Sequence, residues 1–188
     1  MADFLKPNKT NPRGIPEAPF IDKVENVVKN PETDFEMIMQ MFQQRLQQYK
    51  YMELSKKQQM ADLNTKIPDI EKNLDIVGHL KEAKTDAEED GEDEIETNYE
   101  LNDTLYTKAT VDVNKLDSVY LWLGAEVMLE YSLDEATELL NERLEKNKEQ
   151  LRIVKEDIEF LRENITTMEV NTARLYNWDV ERRKRAKA

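Results

Sequence analysis

Two long stretches of the chain repeat their apolar residues at intervals of three and four. They flank one shorter stretch that alternates every second residue. The first long stretch opens at Asn30-Pro31-Glu32, where Asn30 suits the cap, Pro31 the first helical position, and Glu32 and Asp34 the positive end of the helix dipole. One heptad register then holds. One row is Phe35, Phe42, Tyr49, Lys56, Leu63, Ile70 and Val77; the other is Met39, Leu46, Glu53, Met60, Ile67 and Leu74. Only Glu53 and Lys56 break the seam, and they are placed to pair with each other or with a partner helix. Pro68 predicts a kink. The second long stretch starts with a capping box, Ser132-Leu133-Asp134-Glu135. Its rows are Leu133, Leu140, Asn147, Val154, Leu161, Met168 and Leu175, and Leu144, Leu151, Ile158, Ile165 and Thr172. Asn147 at a seam position fixes register at a cost in stability. Two helices of about 50 residues, each about 75 Å long, fold back on one another as an antiparallel coiled coil.

The alternating stretch predicts two hairpins. In Thr104–Val111, Leu105, Thr107, Ala109 and Val111 share one face, and Tyr99–Leu101 can pair with it across Asn102-Asp103. Val119–Leu123 is apolar on both faces, and Ala125–Tyr131 follows Gly124 with alternation restored. Isolated hairpins are marginal in water, and exposed edges carrying Tyr120 and Trp122 are a liability in a monomer. The resolution is that these strands complete a sheet with other chains. Leu105, Val111, Tyr120, Trp122, Val127 and Leu129 are the candidate assembly residues.

The resulting organisation is an N-terminal arm over residues 1–30, a first helix over 31–84, an acidic loop over 85–96, a β region over 97–131, a second helix over 132–184 and a basic tail over 185–188. Four prolines before residue 20 make the arm a flexible one, although Phe20–Val28 has helical spacing and can dock. The acidic loop starts like a calcium loop at Asp86, Glu88, Asp90 and Gly91, but Asp93 and Thr97 stand where an apolar residue and a bidentate glutamate are needed. A solvated loop is the reading. The basic run Arg182, Arg183, Lys184, Arg185 and Lys187 suits a negative helix end, a nuclear signal or an acidic partner.

Folding the helices back brings Asn30–Gln48 beside Val170–Arg183. That end is rich in apolar side chains, and Phe35, Met37, Met41, Phe42, Leu175, Tyr176 and Trp178 are the candidates for holding another polypeptide. Phe35, Phe42 and Leu175 double as seam residues. Met37 and Met41 lie four apart on an outward face, and methionine suits surfaces that accept many shapes.

Composition narrows the classes. Of the 188 residues, 36% are charged and 39% hydrophobic, too polar for a thick globular core but sufficient for a two-helix seam. A net charge of −13 disfavours nucleic acid. No run of about 18 apolar residues exists, so no membrane span or membrane partner is expected. There is no cysteine, hence no thiol chemistry. His79, the sole histidine, has no companion ligand or nucleophile and reads as a helix-end residue. No phosphate-binding loop and no nucleophile–base pair is evident, so neither a cofactor nor an enzyme is expected.

The layout of coil, two hairpins and coil resembles prefoldin, and two hairpins rather than one resemble its α-type subunits. Leu105–Val111 (LYTKATV), Val119–Leu140 (VYLWLGAEVMLEYSLDEATELL) and Phe160–Lys184 (FLRENITTMEVNTARLYNWDVERRK) carry the resemblance, together with Lys66–Val77 and Asn11–Glu25. The resemblance implies a mainly α fold whose hairpins join a shared β-barrel in a heterohexamer of two α-type and four β-type subunits. It implies capture of unfolded actin and tubulin at the coil tips, without ATP, and delivery to the group II chaperonin in the cytoplasm. A coiled-coil adaptor or scaffold is the alternative. It accounts for the seam but leaves the β region without a purpose.

Overall fold

The computed structural model describes residues 9–90 and 94–187. Helix α1 spans Pro31–Asp90, followed by strands β1 (Glu94–Asn102), β2 (Leu105–Asp112), β3 (Ser118–Gly124) and β4 (Val127–Ser132), and by helix α2 (Leu133–Lys187). This is the mainly helical, two-hairpin architecture that the periodicities predict. The chain divides into two compact units. One holds residues up to 61 and from 152 onward, the other residues 62–151.

Several boundaries move. Helix α1 runs through Pro68 without interruption and ends at Asp90 rather than near residue 84, so most of the expected acidic loop is helix or strand. Gly91, Glu92 and Asp93, at the centre of that loop, lie outside the described residues, as do residues 1–8 of the arm and Ala188 of the basic tail. At the start of α1, Asn30 occupies the cap position. The Asp34 carboxylate accepts from the Asn30 backbone N–H at 2.9 Å, while the Asn30 carbonyl accepts from Asp34 N. The start of α2 is the expected capping box: Glu135 N donates to Ser132 Oγ, and Ser132 N donates to Glu135 Oε2 at 3.0 Å. Those bonds from Ser132 hold the Glu135 carboxyl below its ordinary range.

In the first unit, ion pairs set the helix direction. Lys50 meets Glu169, Glu53 meets Arg162, and Lys56 meets Asp157, so numbers rise on one helix as they fall on the other. The same antiparallel sense appears in the second unit, where Glu71 meets Lys148 and Lys81 meets Asp134. Both seam rows are buried or half-buried throughout, with Phe42, Tyr49, Leu161, Met168 and Leu175 nearly inaccessible. The seam breakers Glu53 and Lys56 turn to the other helix, Glu53 accepting from Arg162 and Lys56 reaching Asp157, and Glu53 also meets Lys57 of its own helix.

The arm corrects the expectation of a flexible segment. Residues 9–30 pack against both helices, burying Ile15, Ala18, Ile21, Val24 and Val28 in one cluster with Ile38, Phe42, Tyr49, Leu161, Met168 and Leu175. A turn at Asn11–Gly14, with Gly14 at φ 83°, opens the arm, and the Asn11 side chain accepts from the N–H groups of Arg13 and Ile15. Beyond it the buried residues recur every third position, the period of an extended polyproline-like chain rather than of a helix. Prolines 16 and 19 have no N–H to satisfy, so they suit this conformation, and backbone groups of Ala18, Pro19 and Ile21 find partners on α2. Ala18 N donates to Asn164 Oδ1. Ile21 N donates to Asn171 Oδ1 at 3.0 Å, while Asn171 Nδ2 donates to the Pro19 carbonyl at 2.7 Å. Tyr49 closes the near side, its hydroxyl donating to Pro16 O at 3.0 Å.

Spacing explains why this fits. Asp157, Asn164, Asn171 and Trp178 lie seven apart on one stripe of α2. Seven helical residues rise about 10.5 Å, and three polyproline-like residues rise about 9.3 Å. A heptad step on α2 therefore keeps pace with a three-residue step on the arm, and Ala18 to Ile21 matches Asn164 to Asn171. Asp157 anchors one end. It is fully buried, and its Oδ1 accepts from Asn11 Nδ2 at 2.8 Å and Arg13 Nε at 2.7 Å, while Oδ2 has Lys56 Nζ at 3.0 Å. Trp178 anchors the other, its Nε1 donating to Glu25 at 3.0 Å. Between them Arg174 donates to Ile21 O and lies over the Phe20 ring at 4.6 Å.

In the second unit, Val77, Leu133 and Leu140 form a small core, against which Ile70, Leu74, Val119 and Leu121 pack. The two hairpins, β1–β2 and β3–β4, are separate two-stranded sheets. Their helix-side contacts include Lys84, whose Nζ donates to Asp117 at 2.6 Å.

Two predictions follow from these local arrangements. The β3–β4 turn has Ala125 at φ 50° and Glu126 at φ 61°, both in the region that favours asparagine and glycine. The double change Ala125→Asn and Glu126→Gly relieves about 1 kcal/mol of strain, and amide exchange across β3–β4 slows by roughly fivefold. Faster exchange contradicts this account of the turn. At Asp157, burial alone raises the carboxyl, but the bonds from Arg13 and Lys56 outweigh it and hold the group below its ordinary range. Its folded pKa is therefore the lower one. Its stabilisation is complete above the unfolded value and is lost as pH falls through the folded value. Arg13 and Lys56 remain about 30% exposed, which moderates the loss: Asp157→Asn costs about 2 kcal/mol at pH 7. The gap to the unaltered protein begins to close only as pH falls below the ordinary carboxylate value of roughly 4, and it closes below the still lower folded value. Urea titrations at pH 7 and through that fall in pH check it, and a gap independent of pH contradicts it.

Candidate functional site

Two surfaces carry apolar side chains that the chain itself does not cover. The first is on the hairpins. In β1–β2 the register pairs Ile95 with Val111, Thr97 with Ala109 and Tyr99 with Thr107. Because strand side chains alternate, Ile95 and Tyr99 share one face with Leu105, Ala109 and Val111, while Leu101 lies at the register shift beside the turn. The opposite face carries Glu94, Glu96, Glu100, Lys108 and Asp112, with Lys108 bonded to Glu96 at 2.8 Å. A hairpin with one apolar and one charged face is built to cover something, yet Tyr99, Leu101 and Leu105 are all more than half exposed. In β3–β4 the pairs Val119–Tyr131 and Leu121–Leu129 occupy one face, and Tyr120–Glu130 and Trp122–Met128 the other. Val119 and Leu121 pack against the helix core, whereas Tyr120, Trp122 and Met128 face outward, more than half exposed.

Of the six assembly candidates, Leu105, Tyr120, Trp122, Val127 and Leu129 are exposed and Val111 is half-buried. The sequence reading missed Tyr99, Leu101, Tyr106 and Met128, all exposed. The strand register puts Tyr99 on the Leu105 face, leaves Leu101 at the register shift beside the turn, and sets Met128 opposite Trp122. Alternation extended two residues upstream of Leu101 was the available signal.

The second surface lies at the other unit. A groove of about 560 Å³ is lined by Phe35, Met39, Gln43, Leu46, Glu169, Thr172, Ala173 and Tyr176. At 100° per residue, Glu169, Thr172, Ala173 and Tyr176 lie on one side of the Leu161–Met168–Leu175 row, and Asn164 and Asn171 on the other. The groove and the docked arm thus flank the seam on opposite sides.

The seven tip candidates divide between these environments. Met37 and Tyr176 are exposed, at 42% and 61%. Phe35, half-buried, lines the groove with Tyr176. Phe42 and Leu175 are 1% exposed, so no partner reaches them while this packing holds. Their seam positions are the reason. Met41 and Trp178 are half-buried against the arm cluster. Met41 lies three residues after Ile38, on the arm side of α1, and Trp178 continues the Asp157–Asn164–Asn171 stripe. Asn164 and Asn171 carry the arm and were not singled out from sequence. Two asparagines seven apart, in register with a buried aspartate, were the signal.

Several charged groups near these surfaces are paired. The bond from Lys81 holds the Asp134 carboxyl below its ordinary range, and Lys115 does the same to Asp112. In the basic tail Arg182 and Arg183 both bind Asp179, and Arg185 meets Glu181. His79 is exposed. Among the described residues no group of three His, Cys, Asp or Glu side chains could hold a metal ion, and no helix is long and apolar enough to cross a membrane.

Comparison with known proteins places this geometry. Residues 49–178 match the family described as Prefoldin subunit. The chain is 50% identical over 186 residues to prefoldin subunit 3 of Saccharomyces cerevisiae, covering 97% of this chain and 92% of the yeast one. It is 40% identical over 171 residues to the human protein of the same name, covering 90% and 83% of the two chains. Among solved structures it resembles filamentous PFD from Methanocaldococcus jannaschii at TM-score 0.41 and 14% identity, over 62% of this chain and 94% of that one. With more than half its length matched and close relatives spanning nearly all of it, the chain belongs to the prefoldin family.

Proposed function

We propose that this chain is an α-type subunit of a heterohexameric prefoldin with four β-type subunits and a second α-type one. It works without ATP and is not an enzyme. Its tip captures unfolded actin and tubulin chains in the cytoplasm, and the assembly passes them to the group II chaperonin. The observation that carries the reading is the pair of hairpins with large apolar side chains uncovered on their faces. Two-stranded sheets of this kind are marginal alone and call for strands from other chains. Pooled hairpins in a shared barrel satisfy that need, which an adaptor role leaves unmet.

Capture follows from weak apolar contact at several tips. Met37, Tyr176 and the groove edge at Phe35 offer flexible and aromatic surface without a shaped polar pocket. One tip holds a client loosely, and several tips acting on one chain at high effective concentration hold it well enough to keep it from aggregating. Loose individual contacts also permit transfer to the chaperonin.

Two experiments test the reading. Trp122→Ser combined with Val127→Asp removes apolar hairpin surface and places a charge in it. Native mass spectrometry of the co-expressed subunits is expected to show the hexamer lost, and an intact hexamer contradicts the assembly role. Met37→Ser with Tyr176→Ser leaves the hexamer intact and removes roughly 1–2 kcal/mol of apolar contact at one tip. Suppression of aggregation of denatured actin then weakens several-fold, as read by light scattering. Unchanged suppression contradicts client contact at these residues.

A further inference from the structure

The arm occupies α2 in the manner of a bound peptide. It has almost no regular structure of its own between Lys9 and Val28, apart from one isolated bridge and a single turn of 3-10 helix at Val24–Asn26. Between its two anchored ends, α1 and α2 hold it on the other side of the seam from the Phe35–Tyr176 groove, by contacts to its backbone. Asn171 takes one N–H and one carbonyl from a stretch of three residues, Asn164 takes an N–H, Tyr49 a carbonyl and Arg174 another. Such contacts are indifferent to side-chain identity. Specificity is left to shallow apolar positions every third residue, filled by Ile15, Ala18, Ile21 and Val24. Any extended segment with an apolar residue at that spacing meets the same partners.

What the arm covers matters equally. Its cluster includes Phe42, Met168 and Leu175, and half-buried Met41 and Trp178 pack against it. Four of the seven side chains that the sequence marks for holding another polypeptide are therefore on the arm's side of the seam or beneath it. The bonds that keep the arm in place are end-loaded, at Asp157 and at Trp178–Glu25, with the backbone pairs between them.

We propose that the arm is an intramolecular strap over a groove for extended polypeptide, and that an unfolded segment of another chain binds α2 in its place. The groove then has two states. Closed, it keeps Met41 and Trp178 half-buried beneath the arm; open, it exposes the Met41–Trp178 face and the Asn164–Asn171 backbone readers. This regulates the capture site proposed above and rests on that reading only for the identity of the client.

The test uses the assembled hexamer and two probes. Reduced, carboxymethylated α-lactalbumin serves as a permanently unfolded chain of no special identity, and denatured actin as the proposed client. Amide exchange of residues 15–24 is followed with and without the unfolded probe. The N–H groups of Ala18 and Ile21 are expected to lose protection when the probe is present. In parallel, hexamers lacking residues 1–28 are expected to bind the probe about tenfold more tightly, because the closed state no longer competes. Adding Asn171→Ala to that deletion reverses the gain. If the deleted chain fails to assemble, Arg13→Ala with Glu25→Ala in the full chain loosens both anchors, and a smaller gain in the same direction is expected. Exchange at Ala18 and Ile21 unmoved by saturating probe, or binding unaltered by loosening the arm, overturns the strap. Should actin be captured equally with and without the arm while exchange stays fixed, the strap fails and the client reading stands. Should the probe displace the arm while actin is never captured, the strap stands and the client reading fails.

Discussion

A carboxylate without water must be paired, and Asp157 is the point where that requirement shapes the rest of the first unit. It sits fully buried on α2, one stripe away from the apolar seam. Two cations answer it, Lys56 from the opposite helix and Arg13 from the arm. An isolated pair removed from water gains little over the cost of desolvating it; Asn11 and Arg13 both bond Oδ1, while Oδ2 has the Lys56 charge at 3.0 Å but no hydrogen bond. Lys56 therefore interrupts the seam for a reason. The heptad row gives up one apolar contact at that level, and in exchange the arm acquires a fixed starting register. Once Arg13 and Asn11 are fixed, the match of the three-residue step to the heptad step places Ala18 at Asn164 and Ile21 at Asn171 without further choice.

The same constraint explains what could be seen in the sequence. The helices were legible because a seam advertises itself: apolar residues at two positions in each heptad leave few alternatives, and Ser132 with Glu135 marks a start unambiguously. The hairpins were legible because alternation changes the period from seven to two at a definable place. The arm was not. Four prolines argue correctly against a helix, but the step from there to flexibility assumes that a chain without helix or strand has no way to satisfy its backbone. Here the acceptors and donors are side-chain amides of Asn164 and Asn171, more than 140 residues distant in sequence. Nothing local in Asn11–Glu25 announces them. The end of α1 was misplaced for a related reason, since the acidic stretch Asp86–Asp90 looks like solvated loop by charge yet continues the helix.

The candidate site was legible in composition but not in accessibility. Counting apolar residues near the folded-back ends finds Phe35, Met37, Met41, Phe42, Leu175, Tyr176 and Trp178 together, as they are. Which of them a partner can touch depends on two further surfaces. The seam takes Phe42 and Leu175, and the arm takes part of Met41 and Trp178. Helical geometry alone separates the first pair, because they occupy row positions. The second pair needed knowledge of the arm.

A two-helix seam leaves each helix with apolar residues beyond the two rows, and in each unit they meet a different answer. Beside the first, the excess at Ile38 and Met41 is covered by the chain's own arm, which supplies extended backbone and small apolar side chains. In the second, it is the hairpin side chains Tyr99, Leu101, Tyr120, Trp122 and Met128 that stay uncovered among the described residues. Between its two side-chain anchors the arm's polar contacts are directed at backbone, as suits a surface that exchanges occupants. The hairpin faces are broad, aromatic and regular, and cover that fits them has matching strands and need not leave. One chain thus carries two kinds of unfinished surface, and the chemistry of each indicates how permanently it is to be completed.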